Sequence, residues 1–137
     1  MYRTILVPLD GSGNANKALD IAAHLARANK GKLYLLHVPV INEKDDGAFQ
    51  TSSASQEETA MQLVQTALET IDASDLETSI LVRQGLPAEV IEQEAHRLDT
   101  DAIILGYKGL GRTSGMAGGS VSRAINQRAA CRVVTVR

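Results

Sequence analysis

The chain has 137 residues and a formal net charge of -2 at pH 7, with three tyrosines, one phenylalanine and no tryptophan. A chain of this charge with so few aromatic rings lacks the basic surface and the stacking side chains of nucleic-acid binders, so we expect no nucleic-acid partner. Its one cysteine, Cys131, excludes an internal disulfide and predicts a small buried apolar side chain.

No apolar run approaches the length of a signal peptide or of a membrane-spanning helix. The length of the chain suits one compact unit that buries its core without disulfides or structural metals. We therefore expect residues 1–137 to form a single domain in the cytoplasm, without a membrane partner.

Apolar runs alternate with helical patterns in the first part of the chain. Residues 4–9 are nearly all apolar, which is typical of a strand buried on both faces of a parallel sheet, and Asp10-Gly11-Ser12 follows them. Apolar residues spaced three and four apart predict a helix over residues 14–29. Residues 32–38 then predict a second buried strand.

A polar stretch follows the second strand. Residues 42–53 bury too little apolar surface to offset their ordering entropy, so we predict a long mobile loop. Ser55-Gln56-Glu57-Glu58 matches a capping box and predicts the start of the second helix. The remaining elements are predicted as a strand at 78–83, a helix from Pro87 to about residue 98, a strand at 102–105, a helix at 121–128 and a strand at 132–136.

This alternation predicts the fold class α/β, with an open parallel sheet covered by helices on both faces. In such doubly wound sheets, ligands bind beyond the carboxyl ends of the strands, where the strand order reverses. If the first strand neighbours the fourth, Asp10-Gly11-Ser12 and residues 106–109 face each other across one crevice. Taken alone, Asp10-Gly11-Ser12 is equally compatible with an ordinary strand-to-helix turn capped by Asp or Ser.

The glycine-rich segment after the fourth strand is the main functional signal. Gly106, Gly109 and Gly119-Ser120 follow the spacing G-x2-G-x9-G-[ST], with a helical pattern directly after it. Glycines let backbone N–H groups approach an anion, and a helix start offers unpaired N–H groups and a positive dipole end. The segment therefore predicts a phosphate-binding loop, against the alternative of a mobile surface loop. It matches neither a dinucleotide fingerprint nor a P-loop.

With this spacing, the chain resembles the ATP-binding branch of the universal stress protein family. The resemblance covers the whole chain: the first strand ends in Asp-Gly-Ser, Gly-x-Pro precedes the third helix, and a short Val-rich strand comes last. It implies a single five-stranded, flavodoxin-like parallel sheet of order 3-2-1-4-5, a bound ATP with Mg²⁺, and a homodimer formed through the last strand.

The resemblance also implies roles for individual residues. Asp10 would lie near the ribose and phosphates or bind the magnesium ion, and Pro8 and Val38 would line the adenine pocket. Backbone N–H and hydroxyl groups would hold the ribose and phosphates, from Gly106, Lys108, Gly109, Gly119, Ser120, Val121 and Ser122.

Four side chains in or near this site need separate comment. Position 108 is frequently histidine in the family, whereas Lys108 adds a point charge that could reach phosphate. Tyr107 stands where a small residue is usual, and its ring is expected either beside the nucleotide or facing solvent. Arg112 could make a bidentate phosphate contact, although an exposed loop arginine is the commoner outcome. His37 has no second histidine or cysteine at ligand spacing, so it predicts a hydrogen-bonded imidazole at a strand end.

Three functions follow from these patterns. The leading one is a nucleotide-binding regulatory protein of the stress response, which binds ATP, or ADP or AMP, and acts through an unknown protein partner. A slow ATPase or phosphotransferase is the second, because a phosphate loop with Asp10 and Mg²⁺ supplies electrostatic stabilisation, although no residue clearly positions a water or an acceptor hydroxyl. The third is a dimeric interaction protein that binds no nucleotide. We expect no catalytic residue, and at most weak ATP hydrolysis.

Overall fold

The computed structural model describes residues 2–39, 53–107 and 120–137, with the backbone alone at 53–56 and 120. Strands and helices alternate through these ranges, as the sequence patterns predict. In chain order they are β1 (Thr4–Pro8), α1 (Gly13–Asn29), β2 (Lys32–His37), α2 (Ser53–Leu68), β3 (Glu77–Val82), α3 (Pro87–Arg97), β4 (Ala102–Gly106), α4 (Ser120–Arg128) and β5 (Arg132–Val136).

The five strands form one parallel sheet in the order β3-β2-β1-β4-β5. The chain moves outward from β1 through β2 to β3, then returns to β4 on the other side of β1. The strand order therefore reverses between β1 and β4, where the expected crevice lies. This arrangement confirms the α/β class and the predicted order, and it leaves β5 at one edge of the sheet.

Each face of the sheet is covered by its own pair of helices. Alternate residues of a strand point to opposite faces, so Ile5 and Val7 pack in one cluster with α1 and α2, while Leu6 packs in the other with α3 and α4. Buried alanines such as Ala18 and Ala22 bring α1 close to the sheet. The sheet is thus apolar on both sides, as in other parallel sheets.

Most element boundaries agree with the sequence patterns to within one residue, but the start of α2 does not. The helix begins at Ser53, so Ser55 lies inside the first turn and is not the N-cap that the capping box predicted. Ala54 and Gln56 are compatible with helix, and a capping-box pattern does not prevent a helix from extending upstream. The predicted loop at 42–53 otherwise lies outside the described residues.

Side-chain contacts link distant parts of the chain. Glu94 is buried on α3 and accepts hydrogen bonds of 2.6 Å from Nε of both Arg83 and Arg97. Cys131 is half-buried and not buried as predicted; it lies in the connection between α4 and β5, with its sulfur 3.8 Å from the Thr100 hydroxyl oxygen. Of the helices in the described ranges, none has both the length and the apolar character needed to cross a membrane.

Candidate functional site

The turn that follows β1 orients Asp10 and begins α1. Ser12 is the N-cap, and its hydroxyl accepts a hydrogen bond of 3.1 Å from the Ala15 backbone N–H. Oδ1 of Asp10 accepts a bond of 2.9 Å from the Ser12 N–H, and Gly11 between them has a φ of +87°. The carboxylate thus stabilises the turn with one oxygen. Its other oxygen, Oδ2, forms no hydrogen bond to the described part of the chain.

Gly106 ends β4 in contact with the first turn of α1. A Cβ built on this glycine would lie 2.8 Å from the Ala15 nitrogen and 2.8 Å from the Asn14 carbonyl carbon, closer than real side-chain atoms approach. Only glycine therefore fits here without movement of the backbone. Asp10 lies in the connection between β1 and this helix turn, so Gly106 at the end of β4 is close to the residues that follow β1, which is compatible with the predicted crevice.

The apolar candidates for the site are all buried. Pro8 is buried at the end of β1, in register with Leu36 of β2. Val38 and Val121 belong to the same hydrophobic cluster, on the face covered by α3 and α4. Ser122 is also buried, and its carbonyl oxygen accepts a hydrogen bond of 2.8 Å from Nδ2 of Asn126. The sheet thus brings together residues from β1, from the end of β2 and from α4.

His37 supports the ends of β1 and β2. Its Nδ1 lies 2.7 Å from the carbonyl oxygen of Leu9, and the Leu9 N–H donates a bond of 2.8 Å to the carbonyl oxygen of Leu36. The prediction of a hydrogen-bonded imidazole at a strand end is confirmed. The ring holds the segment just before Asp10 in place.

Tyr107 extends the site toward β5. Its N–H donates a hydrogen bond of 2.7 Å to the Val136 carbonyl, and the guanidinium of Arg137 lies 4.7 Å from the centroid of its ring. The ring is thus covered by an arginine from the end of the neighbouring strand. It lines an open cleft of about 580 Å³ together with Ser122, Arg123, Asn126, Thr135 and Arg137.

Sequence reasoning missed most of this cleft. Arg137 directly follows β5, at the carboxyl edge of the sheet where ligands bind in such folds. Its position in the sequence could therefore have marked it as a candidate binding residue. Arg123 and Asn126 give no comparable signal, because polar side chains on an amphipathic helix are usually only its solvated face.

Comparison with known proteins decides the family. A sequence model described as the universal stress protein family matches residues 1–137. The chain belongs to that family. Among its relatives is "Universal stress protein in QAH/OAS sulfhydrylase 3'region" of Thermus aquaticus, which is 32% identical over 100% of both chains.

Solved structures share the fold of this universal stress protein. UspA from Lactobacillus plantarum matches with a TM-score of 0.74 at 26% identity, over 99% of this chain and 98% of that one. The universal stress protein from Archaeoglobus fulgidus in complex with dAMP matches with a TM-score of 0.72 at 24% identity, over 99% and 98%. The latter likeness shows the fold alone, and dAMP is the ligand of that protein.

Several predicted site residues of this universal stress protein are outside the described ranges. They are Lys108, Gly109 and Gly119, with Arg112 of the same segment. Ser120 is the first residue of α4, and the structure describes its backbone only. The predicted phosphate-binding loop is therefore described only at its two ends, Gly106 and Ser120, where β4 stops and α4 begins.

Asp10 is the candidate ligand for a magnesium ion. Mg²⁺ is usually bound through one or two carboxylates, with phosphate oxygens and waters completing six ligands. Oδ2 of Asp10 has no hydrogen-bond partner in the described residues, so the carboxylate can supply one oxygen and keep its bond to Ser12. The described ranges contain no group of three or more acidic, histidine or cysteine side chains arranged for a metal. Asp10 therefore fits a phosphate-bound Mg²⁺ better than a site made of protein ligands alone.

Proposed function

We propose that this universal stress protein binds an adenine nucleotide, with ATP the leading candidate, at the carboxyl ends of β1 and β4. The observation that carries the proposal is the contact between Gly106 and the first turn of α1, beside Asp10, where the strand order reverses. The chain would work as a single-domain regulatory module of the stress response in the cytoplasm. It would pass its nucleotide state to a protein partner.

In this proposal the adenosine lies over the centre of the sheet. Pro8 and Val38 line the adenine pocket, where buried apolar surface suits a flat aromatic base. The carboxylate of Asp10 binds the ribose hydroxyls, or a Mg²⁺ ion that is shared with the phosphates. Mg²⁺ would neutralise phosphate charge, and Asp10 would hold the ion beside the turn that follows β1.

The phosphates would bind where the glycine loop meets α4. A helix start presents N–H groups without intrahelical partners, and its dipole favours negative charge. The residues that we propose to hold the ribose and phosphates are Gly106, Lys108, Gly109, Gly119, Ser120, Val121 and Ser122. Backbone N–H groups and hydroxyls would do most of this work, and Lys108 would add a charge.

A relative with the same fold supports the choice of nucleotide class. The protein from Archaeoglobus fulgidus was solved with dAMP, a nucleotide with an adenine base and one phosphate. We carry over the adenine nucleotide class to this chain and keep AMP and ADP as further ligands. A homodimer formed through β5, at the open edge of the sheet, completes the proposal.

Thermal unfolding with and without Mg-ATP tests this function. A ligand that binds only the folded state at a hundredfold excess over Kd stabilises it by about 2.7 kcal/mol, which raises Tm by about 5 to 15 °C in a domain of this size. Wild type should show this shift. Gly119→Val, with a branched side chain next to Ser120, should not show it, and both proteins should have the same circular dichroism without ligand.

The two possible failures have different meanings. Equal shifts of Tm in wild type and Gly119→Val would show that the phosphates do not bind at the start of α4. No shift in wild type at millimolar ATP, together with no adenine absorbance in the purified protein, would favour the interaction protein that binds no nucleotide.

A further inference from the structure

The cleft lined by Tyr107, Arg123 and Arg137 lies beside the proposed nucleotide site and shares Ser122 with it. We propose that this cleft binds the phosphates beyond the α-phosphate, so that its two arginines make the protein prefer ATP to AMP. The inference rests on the proposed function, and it adds a specificity that neither the glycine spacing nor the family likeness supplies.

The order of the strands gives the direction of the ligand. Moving across the carboxyl edge of the sheet, Val38 follows β2, Asp10 follows β1, Gly106 ends β4 and Arg137 follows β5. Neighbouring strands are about 4.8 Å apart, so the adenosine spans the ends of β2, β1 and β4. A nucleotide with its base at Val38 and its ribose at Asp10 therefore extends its phosphates toward β5.

The charge at that end of the sheet suits a polyphosphate. Arg123 and Arg137 are both exposed and line the same cleft, and none of the described residues that line it is acidic. Within the described ranges, no carboxylate forms an ion pair with either guanidinium. Two arginines at one cleft, neither of them ion-paired with a carboxylate of the described residues, attract a group with several negative charges more strongly than one with a single phosphate.

Tyr107 prepares Arg137 for this contact. The guanidinium carbon of Arg137 lies over the Tyr107 ring, 4.7 Å from its centroid, so the ring restricts the positions that the guanidinium can take. The Tyr107 backbone is itself fixed by the 2.7 Å bond from its N–H to the Val136 carbonyl. Less side-chain freedom is then lost when a phosphate binds.

Asn126 gives the cleft a fixed wall. Its Nδ2 donates to the Ser122 carbonyl at 2.8 Å and lies 3.4 Å from the Thr135 hydroxyl oxygen, so it connects α4 to β5. Arg123 is three residues before Asn126 on α4, on the same side of the helix. The two arginines thus approach the cleft from two elements that are held together.

The test compares the affinities of AMP, ADP and ATP for wild type, Arg123→Gln, Arg137→Gln and the double variant by isothermal titration calorimetry. We expect each single substitution to lower the affinity for ATP by about tenfold and to change the affinity for AMP by less than about twofold. ADP should fall between them. The matched control is Arg128→Gln on the same helix, because Arg128 lines a different cavity together with Glu92 and Asp99.

Each result decides the inference. Preserved ATP affinity in the double variant, or equal losses for AMP and ATP, would overturn it while leaving the nucleotide site intact. The same loss in Arg128→Gln would also overturn it, because the effect would then be one of overall charge. If wild type binds none of the three nucleotides, the proposed function fails, and this inference fails with it.

Discussion

Gly106 lies against the backbone of Ala15, and a Cβ added to the glycine would stand 2.8 Å from the Ala15 nitrogen. The contact joins the end of β4 to the start of α1, two elements that are far apart in the sequence. It also brings the start of the glycine loop next to the turn that contains Asp10.

Gly106→Ala tests this contact. The new methyl group must push apart two backbone segments, and overpacking of this kind costs about 1 to 3 kcal/mol in the free energy of unfolding. We expect a loss in that range by urea denaturation, measured from the shift of the midpoint at an unchanged m-value.

Gly13→Ala is the matched control for this substitution. Gly13 is the first residue of α1, and a Cβ there meets nothing within 4 Å. Alanine in a helix is favoured over glycine, so this variant should be unchanged or more stable by up to about 1 kcal/mol. Similar losses in both variants would show that close packing at Gly106 is not the cause.

Asp10→Asn tests the proposed role of the carboxylate toward magnesium. Asparagine keeps an oxygen that can accept the hydrogen bond from the Ser12 N–H, so the turn and the fold should be preserved. The charge that binds Mg²⁺ is lost, and we expect the gain in ATP affinity on adding Mg²⁺ to fall by about tenfold. Calorimetric titrations with and without the ion measure it, with Asp20→Asn on the exposed side of α1 as control. An unchanged magnesium effect would remove Asp10 from the metal site.

Glu94→Gln tests the buried carboxylate that joins Arg83 and Arg97. Glu94 is only 7% exposed, and both arginines donate to it at 2.6 Å. Removing its charge should lower the free energy of unfolding by about 1 to 3 kcal/mol. This is less than the usual cost of breaking a fully buried ion pair, because both arginine side chains are partly exposed to solvent. Glu92→Gln on the same helix should change it by less than about 0.5 kcal/mol. Equal effects on the urea midpoint would contradict this assignment.

Asp72 supplies a prediction about pH. The Ser74 hydroxyl, at 2.7 Å, and then the Ser74 backbone N–H, at 3.2 Å, hold the pKa of this carboxyl below its ordinary value. A lowered folded-state pKa contributes stability that is present above the ordinary pKa and is lost as the pH falls through the lowered one. Ser74→Ala removes the larger cause and should raise the Asp72 pKa part of the way back. A carboxyl NMR titration measures it, and Ser79→Ala on β3 should leave the Asp72 curve unmoved.

The open edge of β5 predicts how two copies would meet. The carbonyl of Val136 points toward β4, because it accepts the hydrogen bond from Tyr107. The N–H and C=O of a strand residue point to the same side, and neighbouring residues alternate, so those of Thr135 point outward. No strand of the described ranges pairs with this edge, and an edge of this kind can pair with its copy across a two-fold axis.

Thr135→Pro removes one outward donor and no bond to β4, so it should convert a dimer into a monomer while the fold persists. Thr135→Ala keeps the backbone N–H and should remain dimeric. Sedimentation velocity at micromolar concentration distinguishes these states. A monomeric wild type would rule out the dimer at that concentration.

Local patterns were enough to predict the α/β class and nearly every element. The strand order came from the family resemblance, since no local pattern says which strands are neighbours. The start of α2 was wrong, because the capping box predicted Ser55 as the N-cap and the helix already begins at Ser53. At the site, position alone predicted that Asp10 and Gly106 face one crevice, and the structure places Gly106 against the helix that follows Asp10.

Other contacts could not be predicted, because they join side chains that are distant in the sequence. The cation–π contact of Arg137 with Tyr107 depends on β4 and β5 being neighbours, and no spacing rule connects the two residues. The Arg83 and Glu94 pair depends on how α3 packs beside the end of β3. Such pairs become visible only when the register of the sheet is known.

The bond between His37 and Leu9 determines the tautomer of the imidazole. A carbonyl oxygen only accepts hydrogen bonds, so at a distance of 2.7 Å the ring proton of neutral His37 must lie on Nδ1. Nε2 then keeps its lone pair. The neutral ring therefore presents an acceptor at Nε2, and it becomes a donor there only when it gains a second proton.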